Sequence, residues 1–264
     1  MTNPTKRIME MEVVTAQAFH PLYTLLTLRC APGTDPELPA MKPGQFVQVA
    51  IPDAPHTFLR RPISINYVDG NEMALLVRRA GEGTARLCDL RSGARLNIVA
   101  PLGRGFTIPG QQTGRLLLAG GGVGIAPLCF LGRAMKAAGL TPEFVIGARS
   151  EADLLELDML REIGEVHVTT DDGSAGEHGV VTCHSTWRLG ATIHRVYCCG
   201  PAPMMKAVAS LSDSLGADCE VSLENMMACG LGACLCCVEK TVRGNVCVCT
   251  EGPVFNIKEL TWLD

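Results

Sequence analysis

The chain has 264 residues, of which 47% are hydrophobic and 19% charged, a globular balance that allows two domains and excludes a disordered chain. The formal net charge is −4 with no long run of either sign, so nucleic acid is not expected as a partner. No apolar stretch reaches the roughly 18 to 20 residues of a membrane span, and Met1–Glu12 lacks a secretory signal pattern. We therefore expect a cytoplasmic protein without a membrane span.

The first part of the chain alternates apolar and polar residues in short runs separated by Gly and Pro. A period of two predicts strands, here at Met11–Phe19, Tyr23–Arg29, Gln45–Ile51, Ile63–Val68, Met73–Arg79 and Arg95–Ala100. Many short strands at close spacing are typical of a small antiparallel β-barrel, which we assign to residues 1–110.

From about Gly114 the pattern changes to strands that alternate with helices. The predicted strands are Leu116–Ala119, Glu143–Gly147, Val166–Thr169 and Arg195–Cys199, and the two clearest helices are Pro127–Ala138 and Met204–Leu215. This alternation predicts a parallel sheet with crossover helices, a Rossmann-like α/β domain, in residues 111–217. A segment rich in Cys and Gly follows in residues 218–264.

The barrel region contains the motif Arg60-Arg61-Pro62-Ile63-Ser64, followed by Arg78 and by Gly81-Glu82-Gly83-Thr84. A guanidinium, a strand hydroxyl and a Gly-Thr turn can together hold a diphosphate and the polar edge of a flavin. The alternative is a solvated strand start, because an Arg pair before Pro is common there.

Two turns of the α/β region predict a nucleotide site. Glycines between a strand and a helix let a pyrophosphate approach the backbone at the helix N-terminus, and ligands of open α/β sheets bind at the carboxyl ends of strands. The predicted contacts are Gly120, Gly121, Gly122, Gly124, Cys199, Gly200 and Pro201. The alternatives are a plain tight turn for the glycines and a buried strand-end thiol for Cys199.

The C-terminal segment carries the most specific pattern, C-x4-C-x2-C and a fourth cysteine after eleven further residues: Cys229, Cys234, Cys237 and Cys249. Each iron of a [2Fe–2S] cluster takes two thiolates, so four cysteines complete the site. Zinc and purely structural cysteines are the alternatives. Cys236 and Cys247 could compete for iron, and an extended segment over 246–249 would put Cys247 and Cys249 on one face.

Taken in order along the chain, these motifs resemble the electron-transfer subunits of NAD-dependent dihydroorotate dehydrogenase, in the ferredoxin reductase-like superfamily. The resemblance implies an FAD-binding barrel, an NAD-binding domain and a cluster-binding segment. By position it implies FAD contacts from Arg61, Pro62, Ile63, Ser64, Leu76, Val77, Arg78, Gly83 and Thr84. The superfamily usually has an aromatic residue where this chain has Ile63, so we expect stacking on the flavin from elsewhere, with Phe255 as the candidate.

The resemblance also implies an oxidoreductase of pyrimidine biosynthesis that works with an FMN-containing catalytic subunit, as a heterotetramer. Electrons would pass from that FMN through [2Fe–2S] and FAD to NAD+, with no catalytic side chain of its own, since the redox chemistry belongs to the cofactors. An NAD(P)H–ferredoxin oxidoreductase and a hydrogenase-linked diaphorase are related alternatives, and a non-enzymatic redox or zinc-stabilised module is a further one. Arg149 and Ser150 leave NADP open as the nucleotide.

Overall fold

The structure is a computed structural model that describes residues 6–54 and 57–263, so the first five residues of the N-terminal segment lie outside it. Six antiparallel strands close into a barrel in the order β1-β2-β5-β4-β3-β6. These strands are β1 (Arg7–His20), β2 (Tyr23–Cys30), β3 (Phe46–Val49), β4 (Arg61–Asp69), β5 (Glu72–Arg78) and β6 (Arg95–Leu102). A short helix, α1 (Glu82–Cys88), connects β5 to β6. The predicted antiparallel barrel is confirmed.

The rest of the chain is built on a seven-stranded sheet in the order β10-β9-β8-β7-β11-β12-β15. Its strands are β7 (Arg115–Gly121), β8 (Pro142–Ala148), β9 (Glu165–Thr170), β10 (Glu177–His178), β11 (Ile193–Cys199), β12 (Asp218–Ser222) and β15 (Val254–Asn256). The helices α2 (Ile125–Ala137), α3 (Leu157–Ile163) and α4 (Ala202–Ser214) accompany them. All neighbouring strands are parallel except β12 and β15, which confirms the predicted α/β sheet.

The C-terminal segment is part of the sheet as well as a cysteine-rich loop region. It contributes β12 and β15 to the sheet, and between them lie a hairpin of β13 (Val238–Thr241) and β14 (Gly244–Cys247) and the short helix α5 (Val248–Glu251). The expected boundary before residue 218 therefore falls at the first residue of a sheet strand. The extended conformation expected over 246–249 is wrong, because the chain turns into α5 at Val248.

The cysteine segment is anchored in the same hydrophobic core as one face of the sheet. Cys237, Cys249 and Phe255 are buried there together with Leu117 and Val221. The barrel interior has a separate core, and a third cluster lies where α2 packs on the other face of the sheet. Burial of apolar area stabilises such contacts by about 25 cal/mol per Å². The cysteine loop is thereby held against the barrel and the sheet.

The helices are too short for a membrane. The longest in the described part of the chain, α2 and α4, have 13 residues each, and none meets the length and apolarity that a membrane span requires.

A buried polar pair joins the barrel to the α/β sheet. Asn66 of β4 donates from its Nδ2 to Oε1 of Glu156, just before α3, at 2.6 Å, and both side chains are buried. Burial raises the pKa of Glu156 to about 7, although Asn66 and Arg133 act in the opposite direction. The interface between the two units therefore contains a carboxyl group whose charged form is disfavoured by its surroundings.

We expect Glu156 to make folding stability depend on pH. Its pKa of about 7 in the folded protein exceeds the ordinary 4.5, so the folded state binds the proton more tightly than the unfolded chain. Below about pH 4.5 this proton binding adds its full amount, about 3 kcal/mol, to the free energy of unfolding. The added amount is lost as the pH rises through about 7. Denaturant unfolding of wild type and Glu156→Gln between about pH 5 and pH 8 measures it. Identical pH dependence in the two proteins would contradict this assignment.

Candidate functional site

The four predicted cluster ligands lie together in the C-terminal segment. Cys229 and Cys234 are in the loop between β12 and β13. Cys237 ends this loop, and its sulfur accepts the backbone N–H of Cys249 of α5 at 3.4 Å. Cys237 and Cys249 are buried, whereas Cys234 is exposed. The site therefore has one side in the core and one side at the surface.

Backbone N–H groups of the loop are directed at these sulfur atoms. Leu231 donates to Sγ of Cys229 at 3.3 Å, and Gly232 donates to Sγ of Cys249 at 3.2 Å. Gly230 and Gly232 have φ values of 69° and 83°, a backbone conformation that glycine adopts without strain. The glycines thus give the loop the shape that turns its N–H groups inward. The resulting field favours the negative charge of thiolates and of a bound cluster.

The thiols of Cys229 and Cys249 differ in pKa. The N–H groups led by that of Leu231 lower the pKa of Cys229 to about 6. Burial raises the pKa of Cys249 to about 12. Because only thiolates bind iron, metal binding displaces a proton at Cys249, whereas Cys229 is already largely ionised at neutral pH.

Cys247 has different surroundings from Cys249, although both lie near Cys237. The Cys247 thiol faces the carbonyl oxygen of Gly232 at 3.9 Å, while the N–H of the same glycine faces Cys249. A carbonyl accepts a hydrogen bond from a neutral thiol, whereas an N–H stabilises a thiolate. Cys236 is exposed. The geometry therefore favours Cys249 as the fourth ligand.

The donor set fits a two-iron cluster. Two irons with two thiolates each need four thiols, and the loop region supplies Cys229, Cys234, Cys237 and Cys249, with backbone N–H groups directed at the sulfur atoms of three of them. A zinc ion would use the same four thiols around one point. The ligand assignment itself stays a prediction.

A cavity of about 270 Å³ lies beside the barrel, and six of the nine predicted flavin contacts line it. These six are Pro62, Ile63, Ser64, Leu76, Arg78 and Thr84. The opposite side comes from other parts of the chain, with Val123 from the glycine turn and Leu223, Glu224, Asn225, Met227 and Pro253 from the C-terminal segment. A cleft with apolar walls and a few polar groups is the usual form of a cofactor site.

Arg61 and Gly83 lie against each other at the edge of this cavity. A Cβ atom on Gly83 would be 3.0 Å from Nε of Arg61, so the missing side chain leaves room for the guanidinium beside the start of α1. Arg61 also donates from Nη1 to the carbonyl of Leu59 at 2.8 Å. The hydroxyl of Thr84 accepts from the N–H groups of Ala80 and Gly81, which fixes this turn. A fixed positive charge next to an ordered turn suits a diphosphate.

Two expectations about the flavin surroundings need correction. The side chain of Val77 is fully buried in the barrel interior, because alternation along β5 sends Leu76 and Arg78 to the cavity and Val77 to the other face. The candidate stacking residue Phe255 is wrong, since it is packed in the core against Gly252 and away from the cavity. The aromatic side chain that lines the cavity is Phe46.

The two turns predicted to bind the nucleotide meet at the carboxyl edge of the sheet. Cys199 at the end of β11 is in register with Gly120 at the end of β7. A Cβ atom on Gly124 would lie 2.2 Å from the carbonyl oxygen of Cys199, so only glycine allows these turns to pack this closely. Gly121 and Gly200 face each other across the same edge, and Pro201 is the N-cap residue of α4. All seven predicted contacts are thus brought together.

Gly122 is the glycine of this turn that faces open space. Its φ is 55°, and a Cβ atom placed on it would have only the Tyr23 hydroxyl within 4 Å, at 3.7 Å. Space in front of a glycine at a helix N-terminus is what a pyrophosphate needs. The turn therefore has room for a nucleotide at Gly122 and a packing role at Gly124.

Cys199 itself is buried, and burial raises the pKa of its thiol well above the usual range. These surroundings fit the alternative that Cys199 is a structural thiol at the end of a strand.

Glu224, near Cys199, was not predicted from the sequence. It lines the flavin cavity, and burial raises the pKa of its carboxyl group while Arg78 opposes this effect. Asp218 and Glu220 stand close to Glu224 in the sequence, so no local signal singled it out.

The three sites adjoin one another. Val123 belongs to the glycine turn and also lines the flavin cavity, so the nucleotide and flavin sites share a wall. Met227 lines the same cavity two residues before the first predicted cluster ligand. A flavin bound in the cavity would therefore lie between the cysteine loop and the nucleotide turn.

Comparison with known proteins agrees with this arrangement. Residues 224–261 match the family model of the iron-sulfur cluster binding domain of dihydroorotate dehydrogenase B. Among solved structures, one of an NADH-dependent reduced ferredoxin-NADP oxidoreductase superposes with a TM-score of 0.83 and 28% identity, over 95% of this chain and 89% of that one.

Curated relatives cover most of the chain. The dihydroorotate dehydrogenase B (NAD(+)) electron transfer subunit of Streptococcus thermophilus is 42% identical, over 81% of this chain and 85% of its own length. The subunit of the same name from Caldanaerobacter subterraneus subsp. tengcongensis is 40% identical, over 83% and 86%. The resemblance inferred from the motifs is confirmed: the chain belongs to the family of dihydroorotate dehydrogenase B electron transfer subunits.

Proposed function

We propose that this chain receives electrons from an FMN-containing dihydroorotate dehydrogenase catalytic subunit and delivers them to NAD+, in a cytoplasmic heterotetramer of pyrimidine biosynthesis. The observation that carries the proposal is the contiguity of a four-thiol loop, a cavity lined by predicted flavin contacts, and a glycine turn that shares a wall with that cavity. The two relatives at 40% and 42% identity support dihydroorotate as the source of electrons. None of the thirteen cysteines is in a disulfide bond in the structure, as the cytoplasm favours.

The cofactors supply the redox chemistry, since a [2Fe–2S] centre exchanges single electrons, NAD+ accepts a hydride, and FAD can do both. The protein binds and orients these groups. Cys229, Cys234, Cys237 and Cys249 hold the cluster, and the loop N–H groups stabilise its negative charge.

The flavin and the nucleotide are held by the adjoining elements. Arg61 and the turn at Gly83 and Thr84 would hold the FAD diphosphate, while Ser64 and Phe46 line the cavity that would take the ring. Gly122 leaves room for the pyrophosphate of the nucleotide.

Coexpression with the catalytic subunit tests the proposal. The two chains should copurify with FAD, FMN, iron and sulfide, and dihydroorotate should reduce NAD+ in the complex but not with this chain alone. The ferredoxin-NADP oxidoreductase neighbour defines the competing result. If the protein reduced NADP+ with electrons from reduced ferredoxin and did not respond to dihydroorotate, ferredoxin would be its electron donor and the proposal would be contradicted.

We expect Arg61→Ala to weaken FAD binding by about 1.5 to 3 kcal/mol, because a charge-assisted contact to the diphosphate is lost. The change should leave the cluster assembled, since Arg61 is on the barrel and contacts Leu59 and Gly83. Arg29→Ala is the matched control, because Arg29 is on β2 and pairs with Glu12 at the surface. FAD content after gel filtration and the FAD dissociation constant are the measurements. Equal FAD retention in both variants would remove Arg61 from the flavin site.

A further inference from the structure

Gln48 of β3 is a buried glutamine whose side chain lacks hydrogen-bond partners. The residue is fully buried, and neither Nε2 nor Oε1 has a partner among the described residues. Gln45, just before the same strand, is also buried but is satisfied: its Nε2 donates to Gly103 and its Oε1 accepts from Lys42. Because buried polar groups are almost always paired, the Gln48 carboxamide is placed to serve a group that the polypeptide does not supply.

The Gln48 carboxamide lies against the loop that carries the first cluster ligand. A Cβ atom on Gly230 would be 2.8 Å from Cγ of Gln48 and 3.1 Å from its Nε2. Gly230 directly follows Cys229, and the next residue, Leu231, donates its N–H to the Cys229 sulfur. Glycine at position 230 therefore allows both the positive φ of the loop and the close approach of Gln48.

The position on β3 separates Gln48 from the flavin. Val47 and Val49 point into the barrel interior, so Phe46 and Gln48 share the outer face. Phe46 lines the flavin cavity and Gln48 does not, and two residues along a strand span about 6.6 Å. Arg60 donates to the backbone carbonyl of Gln48 at 3.3 Å, which fixes the strand and leaves the side chain free. The carboxamide is thus on the cluster side of the cavity.

We propose that Gln48 is a positioning residue for electron transfer, whose carboxamide N–H donates a hydrogen bond to a sulfur atom of the cluster bound at the Cys229 loop. The inference rests on the proposed function for the presence of that cluster. A hydrogen bond to a cluster sulfur stabilises the more negative reduced form and raises the reduction potential. The chain would in this way tune the cluster from the barrel, outside its four ligands.

Two variants and one control test this. Gln48→Met and Gln48→Leu each keep an apolar side chain of similar size and remove the donor, and Gln45→Met removes a satisfied amide instead. An EPR-monitored redox titration should give a lower cluster midpoint potential in both Gln48 variants, with FAD, iron and sulfide retained, and an unchanged one in Gln45→Met. Unchanged midpoints in the Gln48 variants would overturn the proposal.

A measurement on the wild-type protein covers the case in which the variants do not fold. With side-chain 15N-labelled glutamine, the reduced cluster should show a nitrogen hyperfine coupling in pulsed EPR, and its absence would overturn the assignment. Iron and sulfide analysis of the same sample distinguishes this failure from a failure of the proposed function. Wild type without a cluster contradicts the function, whereas wild type with a cluster and no coupling contradicts only the role of Gln48.

Discussion

Serine in place of Cys229, Cys234, Cys237 or Cys249 will abolish or destabilise the [2Fe–2S] centre, because an alkoxide is a poor substitute for a thiolate on iron. Backbone N–H groups are directed at three of these sulfur atoms, those of Cys229, Cys237 and Cys249. Electron transfer from the catalytic subunit to NAD+ should then stop. NADH oxidation by a dye that accepts directly from FAD should persist, since the cavity is lined by other residues.

Cys236→Ser and Cys247→Ser are the matched controls, because each lies within two residues of a proposed ligand and should leave the cluster assembled. Iron content, sulfide content and the EPR signal of the reduced protein are measured for all six variants. A normal signal in Cys249→Ser with a lost signal in Cys247→Ser would make Cys247 the fourth ligand. That result would contradict the contrast between the N–H and the carbonyl of Gly232.

Gly122→Val should raise the Michaelis constant for NADH on the order of tenfold or more, because a side chain there occupies the space of the pyrophosphate. The added Cβ atom would meet little of the protein, since apart from the chain neighbours of Gly122, Tyr23 is the only described residue within 4 Å of it. FAD and iron content should stay unchanged. Steady-state NADH oxidation with an artificial acceptor measures the effect.

Gly139→Val controls for backbone strain in this experiment. Gly139 has a φ of 77°, comparable with 55° at Gly122, and open space around its Cβ position, but it follows α2 at the end remote from the glycine turn. Both variants carry the same strained conformation. A normal Michaelis constant in Gly122→Val, or an equal increase in Gly139→Val, would mean that the glycine turn does not bind the nucleotide.

The sequence predicted the elements that have a clear local pattern. Strands such as β2 and β5 are short, mainly apolar runs next to turns, and α2 combines helical spacing with a preceding glycine turn, so their limits agree with the structure within a few residues. Helices α1 and α3 have seven residues each, about two turns, which is too short for a period to show. Helix α5 starts at Val248 directly after β14 and has only four residues, so no helical period marks it in the sequence.

The ligand candidates were predictable because their spacing is local, whereas the cavity was predictable only in part. Arg61 to Ser64 and Arg78 lie on neighbouring strands, but Glu224, Met227 and Pro253 reach the cavity only because β12 and β15 pair at the edge of the sheet. Such a pairing over more than thirty residues leaves no local pattern. The burial of Phe255 has the same cause, since its strand is packed into the core.

The measurement that tests the electron-transfer account most directly is an anaerobic titration of the purified chain with NADH, followed by visible absorption and EPR in the same sample. The account predicts that NADH bleaches the FAD absorption and that the reduced [2Fe–2S] signal then develops, because nucleotide turn, flavin cavity and thiol loop adjoin. A colourless protein that contains zinc in place of iron and does not respond to NADH would contradict it.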